Sequence, residues 1–227
     1  MPNKLVMCGC SFSGQGEYAP LNDKPEAKIP YGLVAARECG LGYLHLARPG
    51  GSNTRIWRVL VNAILNGEVQ PQNVVGIQYT EVVRMECWTQ HPSVIAPEDY
   101  AGGRMMTLKS QAHMALDQGE PDYEFTRLWG TEHLCTPYSV DMWRVQHTML
   151  TALLEQRGFN KVFFIRNRYN EWYLKGINED RVIDLTDISS KEGNWEDGPG
   201  IHLTEQGHRI VGKMVADKIN LYIWRRF

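Results

Sequence analysis

The sequence predicts a three-layer α/β/α domain on a central parallel sheet. Short apolar runs alternate with helical patterns along most of the 227 residues. Several runs are apolar at nearly every position, as expected of strands covered on both faces. Apolar residues make up 43% and charged residues 22%, ordinary values for a folded globular chain.

The elements follow in order. Lys4–Cys8 is a strand that delivers the chain into a loop carrying Gly9, Ser11, Ser13, Gly14 and Gly16. Ile29–Gly40 is a helix, with Pro30 near its start and Gly40 as its stop. Tyr43–Ala47 is a second strand. Pro49-Gly50-Gly51-Ser52 is a turn, after which Ser52 or Asn53 caps a helix. Its Ile56, Val59, Leu60, Ala63 and Ile64 recur at helical spacing, and Asn66-Gly67 ends it. Asn73–Gln78 is a third strand. From about 85 to 130 no period is sustained, and the expectation is an insertion of irregular helices inside one domain spanning 1–227. Ser139–Gln156 is a helix with Met142, Val145, Met149, Ala152 and Leu153 on one face. Lys161–Ile165 and Arg181–Leu185 are further strands. The last helix starts at Thr204 and buries Ile210, Val211, Met214, Val215, Ile219 and Tyr222.

Charge excludes some functions. The chain has 24 Lys+Arg against 26 Asp+Glu, which leaves no basic footprint for nucleic acid or an anionic membrane. No apolar stretch approaches the roughly 18 residues of a spanning helix, and Leu5–Met7 is too short for a secretory signal. The five cysteines, Cys8, Cys10, Cys39, Cys87 and Cys135, show no metal-ligand spacing and imply a reducing compartment. The expectation is a cytoplasmic protein without metal or cofactor.

Chemistry is expected at the carboxyl ends of the strands, where open α/β sheets gather their ligands. Ser11 opens a glycine-rich turn after the first strand. Gly9 and Gly14 have phosphate-loop spacing, but Gln15 and Gly16 replace the required Lys and Ser/Thr, and no G-x-G-x-x-G is present. Near the other terminus, Asp197-Gly-Pro-Gly-Ile-His202 leads into the last helix. A serine needs a base to take its proton, and an imidazole needs a carboxylate to orient it. Ser11, Asp197 and His202 supply the three parts in chain order. His208, in the first turn of that helix, reads as structural or as an N-terminal polar contact.

Taken together, these segments resemble the SGNH/GDSL hydrolases. Gly9-Cys10-Ser11-Phe12-Ser13-Gly14 resembles the nucleophile block, with Cys in place of the usual Asp. Leu46–Asn53 resembles the second block, and Asp197–His208 the terminal block. The match covers roughly residues 4–80 and 160–220 and resembles stand-alone members often carried by bacteriophages and bacteria, which adds virion association to the expectations for location. The α/β-hydrolase elbow G-x-S-x-G is not met, because Ser13 stands at its last glycine.

The resemblance implies a flavodoxin-like order of strands and a serine esterase acting on a small acyl or acetyl ester, including esters on carbohydrate. It makes Ser11 the nucleophile, His202 the base and Asp197 its orienter. The N–H groups of Ser11 and Gly51 would form the oxyanion hole. Two departures stand out. Asp197 precedes His202 by five positions where the family has three, so Glu196 or Asp187 is an alternative partner. The third block lacks its asparagine, and Thr80, Gln78 or Asn53 would have to supply the side-chain donor; loss of one such donor typically costs about 10²–10³ in rate. Tyr79, Glu81, Arg84 and Trp88 are expected at the rim of the cleft as substrate contacts. A catalytically eroded binding or assembly protein and an acyltransferase are the alternative functions.

Overall fold

The structure, a computed structural model, describes residues 3–10, 13, 29–48, 51–82, 84–89, 98–100, 103–108, 136–167, 170–174, 176–186, 188 and 203–224. Its elements are β1 (Lys4–Cys8), α1 (Tyr31–Glu38), β2 (Gly42–His45), α2 (Asn53–Leu65), β3 (Val74–Ile77), β4 (Met85–Thr89), β5 (Glu98–Tyr100), β6 (Gly103–Leu108), α3 (Thr136–Gln156), β7 (Val162–Arg166), β8 (Val182–Asp184) and α4 (Glu205–Trp224).

Five strands form the central sheet in the order β2-β1-β3-β7-β8, all parallel. This is the flavodoxin-type order, and the strand order reverses between β1 and β3, where such sheets bind ligands. Consecutive side chains leave a strand by opposite faces, so apolar runs feed two cores at once. Leu5, Met7, Val74, Phe163 and Ile165 pack under α1 and α4. Val6, Cys8, Val75, Ile77, Val162 and Phe164 pack under α2 and α3. That is the expected three-layer domain. The sheet strands agree with the sequence reading to within a residue or two at their ends, the usual scatter of such boundaries.

Helix starts are fixed by identifiable donors and acceptors. The Ser52 side chain accepts from the Arg55 N–H (3.1 Å) at the head of α2. Thr204 does the same for Gly207 (3.1 Å), so it caps α4 and is not its first turn. Pro30 offers α1 no side-chain cap. Instead, Nδ1 of His208, on α4, accepts the first N–H of α1, that of Tyr31, at 3.2 Å. His208 is therefore the structural contact that its place in the sequence suggested, made to a second helix.

Two expectations are corrected. Residues 85–108 hold no irregular helices among those described; β4, β6 and β5 form an antiparallel sheet. The sequence conceals it because apolar and polar residues do not alternate cleanly in Met-Glu-Cys-Trp-Thr or Arg-Met-Met-Thr-Leu. The available signal was Gly102-Gly103 after Tyr100, a composition typical of a tight hairpin; Tyr100 and Gly103 are paired. The second correction concerns α3. Its buried face is Ser139, Val140, Trp143, Leu150 and Leu154, while Val145 and Met149 are 53% and 56% exposed. The helix carries two apolar stripes, and the aromatic partners of Trp143 decide which one turns inward.

The last helix buries Val211, Val215 and Ile219 as expected and Ala216 besides, while Met214 is half-buried, Ile210 is exposed, Gly207 and His208 are buried, and the Tyr222 side chain lies outside the description. No described helix is long and apolar enough to cross a membrane.

Candidate active site

Ser11, Asp197 and His202, and the alternative carboxylates Glu196 and Asp187, lie outside the described residues. Cys10 and Ser13 near Ser11, Thr186 and Ile188 beside Asp187, and Leu203 after His202 are described.

The exit of β1 is tightly built. The Ser13 N–H donates to the Cys10 carbonyl (3.1 Å). A side-chain carbon at Gly9 would lie 1.8 Å from Ser13 Oγ and 3.2 Å from Gln78 Cβ, so only glycine fits there. The Ser13 side chain reaches both the Cys10 carbonyl (3.3 Å) and the Tyr31 hydroxyl. Tyr31, fully buried, donates its hydroxyl to Gln78 Oε1 at 2.9 Å. Burial pushes the Tyr31 hydroxyl far above its usual range, keeping it a neutral donor. The same residue's N–H is held by His208. A single tyrosine therefore touches Ser13, the end of β3, and the helix that begins just after His202.

The second block rests on the first. The Arg48 N–H donates to the Gly9 carbonyl (3.1 Å), and a carbon added at Gly51 would lie 3.5 Å from that same carbonyl. The Gly51 N–H donates to the Arg48 carbonyl at 3.0 Å, within its own turn.

Asn53 does not project an amide into a cleft. Its Oδ1 accepts the Thr80 N–H (2.8 Å), and its Nδ2 donates to the Thr80 carbonyl (3.4 Å) and the Tyr173 hydroxyl oxygen (3.3 Å). Tyr173 in turn donates its hydroxyl to the Thr80 carbonyl. Asn170, fully buried, donates Nδ2 to the Tyr79 carbonyl (2.8 Å) and the Ile165 carbonyl (3.1 Å). The chain leaving β3 is thus gripped on both peptide groups of Thr80. Asn170 and Tyr173 carry no local pattern that sequence reasoning could have used.

Tyr79 belongs to the core, not to a rim: it is 2% exposed and packs against Trp143, His147 and Phe164. Strand alternation carries its ring beneath α3 when Gln78 faces α1. Its hydroxyl lies 3.1 Å from His147 Nδ1, and burial lowers the His147 pKa. Glu81 and Arg84 form an ion pair at 3.0 Å. Arg84 lines a small open pocket of about 20 Å³ with Asn53, Thr54, Val82, Met142 and Trp143. Trp88 lies on β4. Cys8, buried beneath the site, has its thiol pushed up to about 12 by burial, against a smaller opposing effect of Arg55, and so is not a nucleophile at neutral pH.

The comparisons with known proteins agree with this geometry at the level of the fold. No family model matches the sequence, and no curated protein does. Solved structures do. An esterase, EstA, from Pseudoalteromonas, with a structure inhibited by monoethylphosphonate, aligns at TM-score 0.51 over 97% of this chain and 98% of its own, with 12% identity. A lipase/acylhydrolase from Enterococcus faecalis aligns at TM-score 0.51 over 97% and 96%, with 13% identity. A protein from Desulfitobacterium hafniense assigned to the lipolytic G-D-S-L family aligns at TM-score 0.51 over 95% and 99%, with 11% identity. The fold is that of the SGNH/GDSL hydrolases. In the present chain Gly9 and Cys10 follow β1, Gly51 and Ser52 precede α2, and Gln78-Tyr79-Thr80 follow β3.

Proposed function

We propose that this chain is a serine hydrolase that cleaves a small acyl or acetyl ester, including esters on carbohydrate. The observation that carries the reading is the convergence on Tyr31. Ser13, two residues after Ser11, and His208, six residues after His202, both contact it, and Gly51 packs against Gly9 beside them. Residues almost two hundred positions apart are drawn to one end of the sheet.

In this reading Ser11 Oγ attacks the ester carbonyl while His202 takes its proton and Asp197 orients the imidazole. The alcohol leaves with the proton from His202, and water then releases the acid from Ser11 by the same route. The oxyanion is met by the N–H groups of Ser11 and Gly51. For the missing side-chain donor, Thr80 is favoured over Asn53, because the Asn53 amide is committed to holding the Thr80 peptide. Arg84, ion-paired with Glu81, contacts substrate from the pocket that Asn53 also lines.

One observation favours the second reading, a binding or assembly protein with an eroded site: the Gly51 N–H is turned into its own loop, toward Arg48. A fluorophosphonate probe separates the two. The hydrolase labels on Ser11, loses the label in Ser11→Ala, and hydrolyses p-nitrophenyl acetate in a manner lost in His202→Ala. An unlabelled, inactive wild type overturns the hydrolase reading. Transfer of the acyl group to an added sugar alcohol would identify an acyltransferase.

A further inference from the structure

We infer that Tyr31 is a positioning residue for the reaction, the part that holds the nucleophile turn in register with the end of β3 and with the helix behind the base. This rests on the hydrolase reading above.

The hydroxyl of Tyr31 sits between the side chain of Ser13, two residues after Ser11, and Oε1 of Gln78, at 2.9 Å, beside the backbone bond from the Gln78 N–H to the Cys8 carbonyl (2.8 Å). All three residues are buried, at 1% exposure or less. Gly9, between them, leaves no room for a side chain, so the turn rests directly on this network. A buried polar group left without its partner costs far more than the net value of the bond, and each member therefore fixes the others. Tyr31 also fixes the amide of Gln78. Its hydroxyl donates, so the atom facing it is Oε1, and the Gln78 N–H donors point away.

The backbone of Tyr31 does separate work. Its N–H is the uncapped start of α1, and His208 Nδ1 receives it from the first turn of α4. His202 precedes that turn by only a few residues. One residue thus spans from the nucleophile's turn to the helix that follows the base, with its ring stacked on His208 at 6.0 Å between centroids. Tyr31 is fully buried, so it acts through these neighbours. Its effect is on the geometry of Ser11 relative to His202, where a misplacement of about 1 Å can cost about 10²-fold in rate.

The test is kinetic, on the full chain. Tyr31→Phe keeps the ring, the stacking and the backbone N–H and removes only the hydroxyl. The expected result is a folded protein whose kcat on p-nitrophenyl acetate falls about tenfold or more, with KM within about twofold of wild type. Fluorophosphonate labelling of Ser11 should slow in parallel. Gln78→Met, which keeps the volume and removes the acceptor, is the second variant should Tyr31→Phe not fold, and it should show the same split. The double variant should be no slower than the slower single one, because both remove one network. A labelled wild type with either folded variant reacting at the wild-type rate overturns this inference and leaves the hydrolase standing. A wild type that takes no label overturns the hydrolase reading itself.

Discussion

Gln78 and Tyr79 leave the end of β3 by opposite faces of the sheet, and the two faces handle their buried polar groups differently. On the α1 side the network runs from side chain to side chain: Ser13, Tyr31 and Gln78. On the α3 side it runs from side chains to backbone: Asn53 and Tyr173 hold both peptide groups of Thr80, and Asn170 holds the carbonyl of Tyr79. A side-chain network sets the relation between two loops, whereas a side-chain clamp on backbone sets the path of the chain itself. Among the described residues the chain at Tyr79 and Thr80 pairs with no strand, and the asparagines take the place of a ladder. Losing a clamp should therefore cost more than losing a member of the network.

The largest effect is expected at Asn53. Asn53→Ala strips the Thr80 N–H of its acceptor and removes the donor that Tyr173 and the Thr80 carbonyl share. With buried groups left unsatisfied, urea denaturation should show a loss of about 2–4 kcal/mol, and hydrolysis should fall as Thr80 shifts. A loss below about 1 kcal/mol would mean that the clamp does not set the chain's path.

Tyr31→Phe should cost less, about 1–2 kcal/mol by the same measurement, since only Gln78 Oε1 and the Ser13 side chain lose a partner. Its signature is the kinetic one described above, a large effect on turnover beside a modest one on stability. Equal losses of stability at Asn53 and Tyr31 would erase the contrast between the faces.

The same contrast explains what could be read in advance. The five-stranded sheet was legible because continuous apolar runs such as Leu5–Cys8 and Val74–Ile77 have few alternatives to a strand covered on both faces. The approach of the segment after β1 to the start of α4 is seen at Tyr31, which contacts Ser13 and His208. The clamps were not legible. Asn53 and Thr80 are 27 positions apart and Asn53 and Tyr173 are 120, and side-chain-to-backbone bonds at such separations leave no period or spacing in the sequence. Tyr79 was placed on a rim because its polar hydroxyl and its position after a strand suit a rim; its actual surroundings, Trp143 and His147, come from a helix whose inward face was itself misjudged.

That helix supplies the pH dependence. Burial lowers the His147 pKa below its ordinary value, so the unfolded chain takes up the proton first as pH falls. The contribution to stability is full above the unfolded pKa of about 6.5 and is lost progressively below it, down to the folded value. Denaturation midpoints between pH 8 and 5 should therefore fall more steeply for wild type than for His147→Gln, which keeps a polar partner for the Tyr79 hydroxyl. Parallel curves would remove His147 as the source.

The smallest effect belongs to the ion pair beyond both networks. Glu81 is 37% exposed at its side chain and Arg84 16%, three residues apart, with 3.0 Å between Nε and the carboxylate. Pairs this open to solvent contribute about 0–1 kcal/mol, and salt screens them. Glu81→Gln should leave the urea midpoint nearly unchanged, and any difference should shrink further on raising the ionic strength. Its use is as a control on the pocket lined by Arg84. If Arg84 contacts substrate, Arg84→Met raises KM while stability and kcat stay close to wild type, the reverse of the split expected at Tyr31. A change in kcat alone would move Arg84 out of the substrate's reach and into the machinery that holds Thr80.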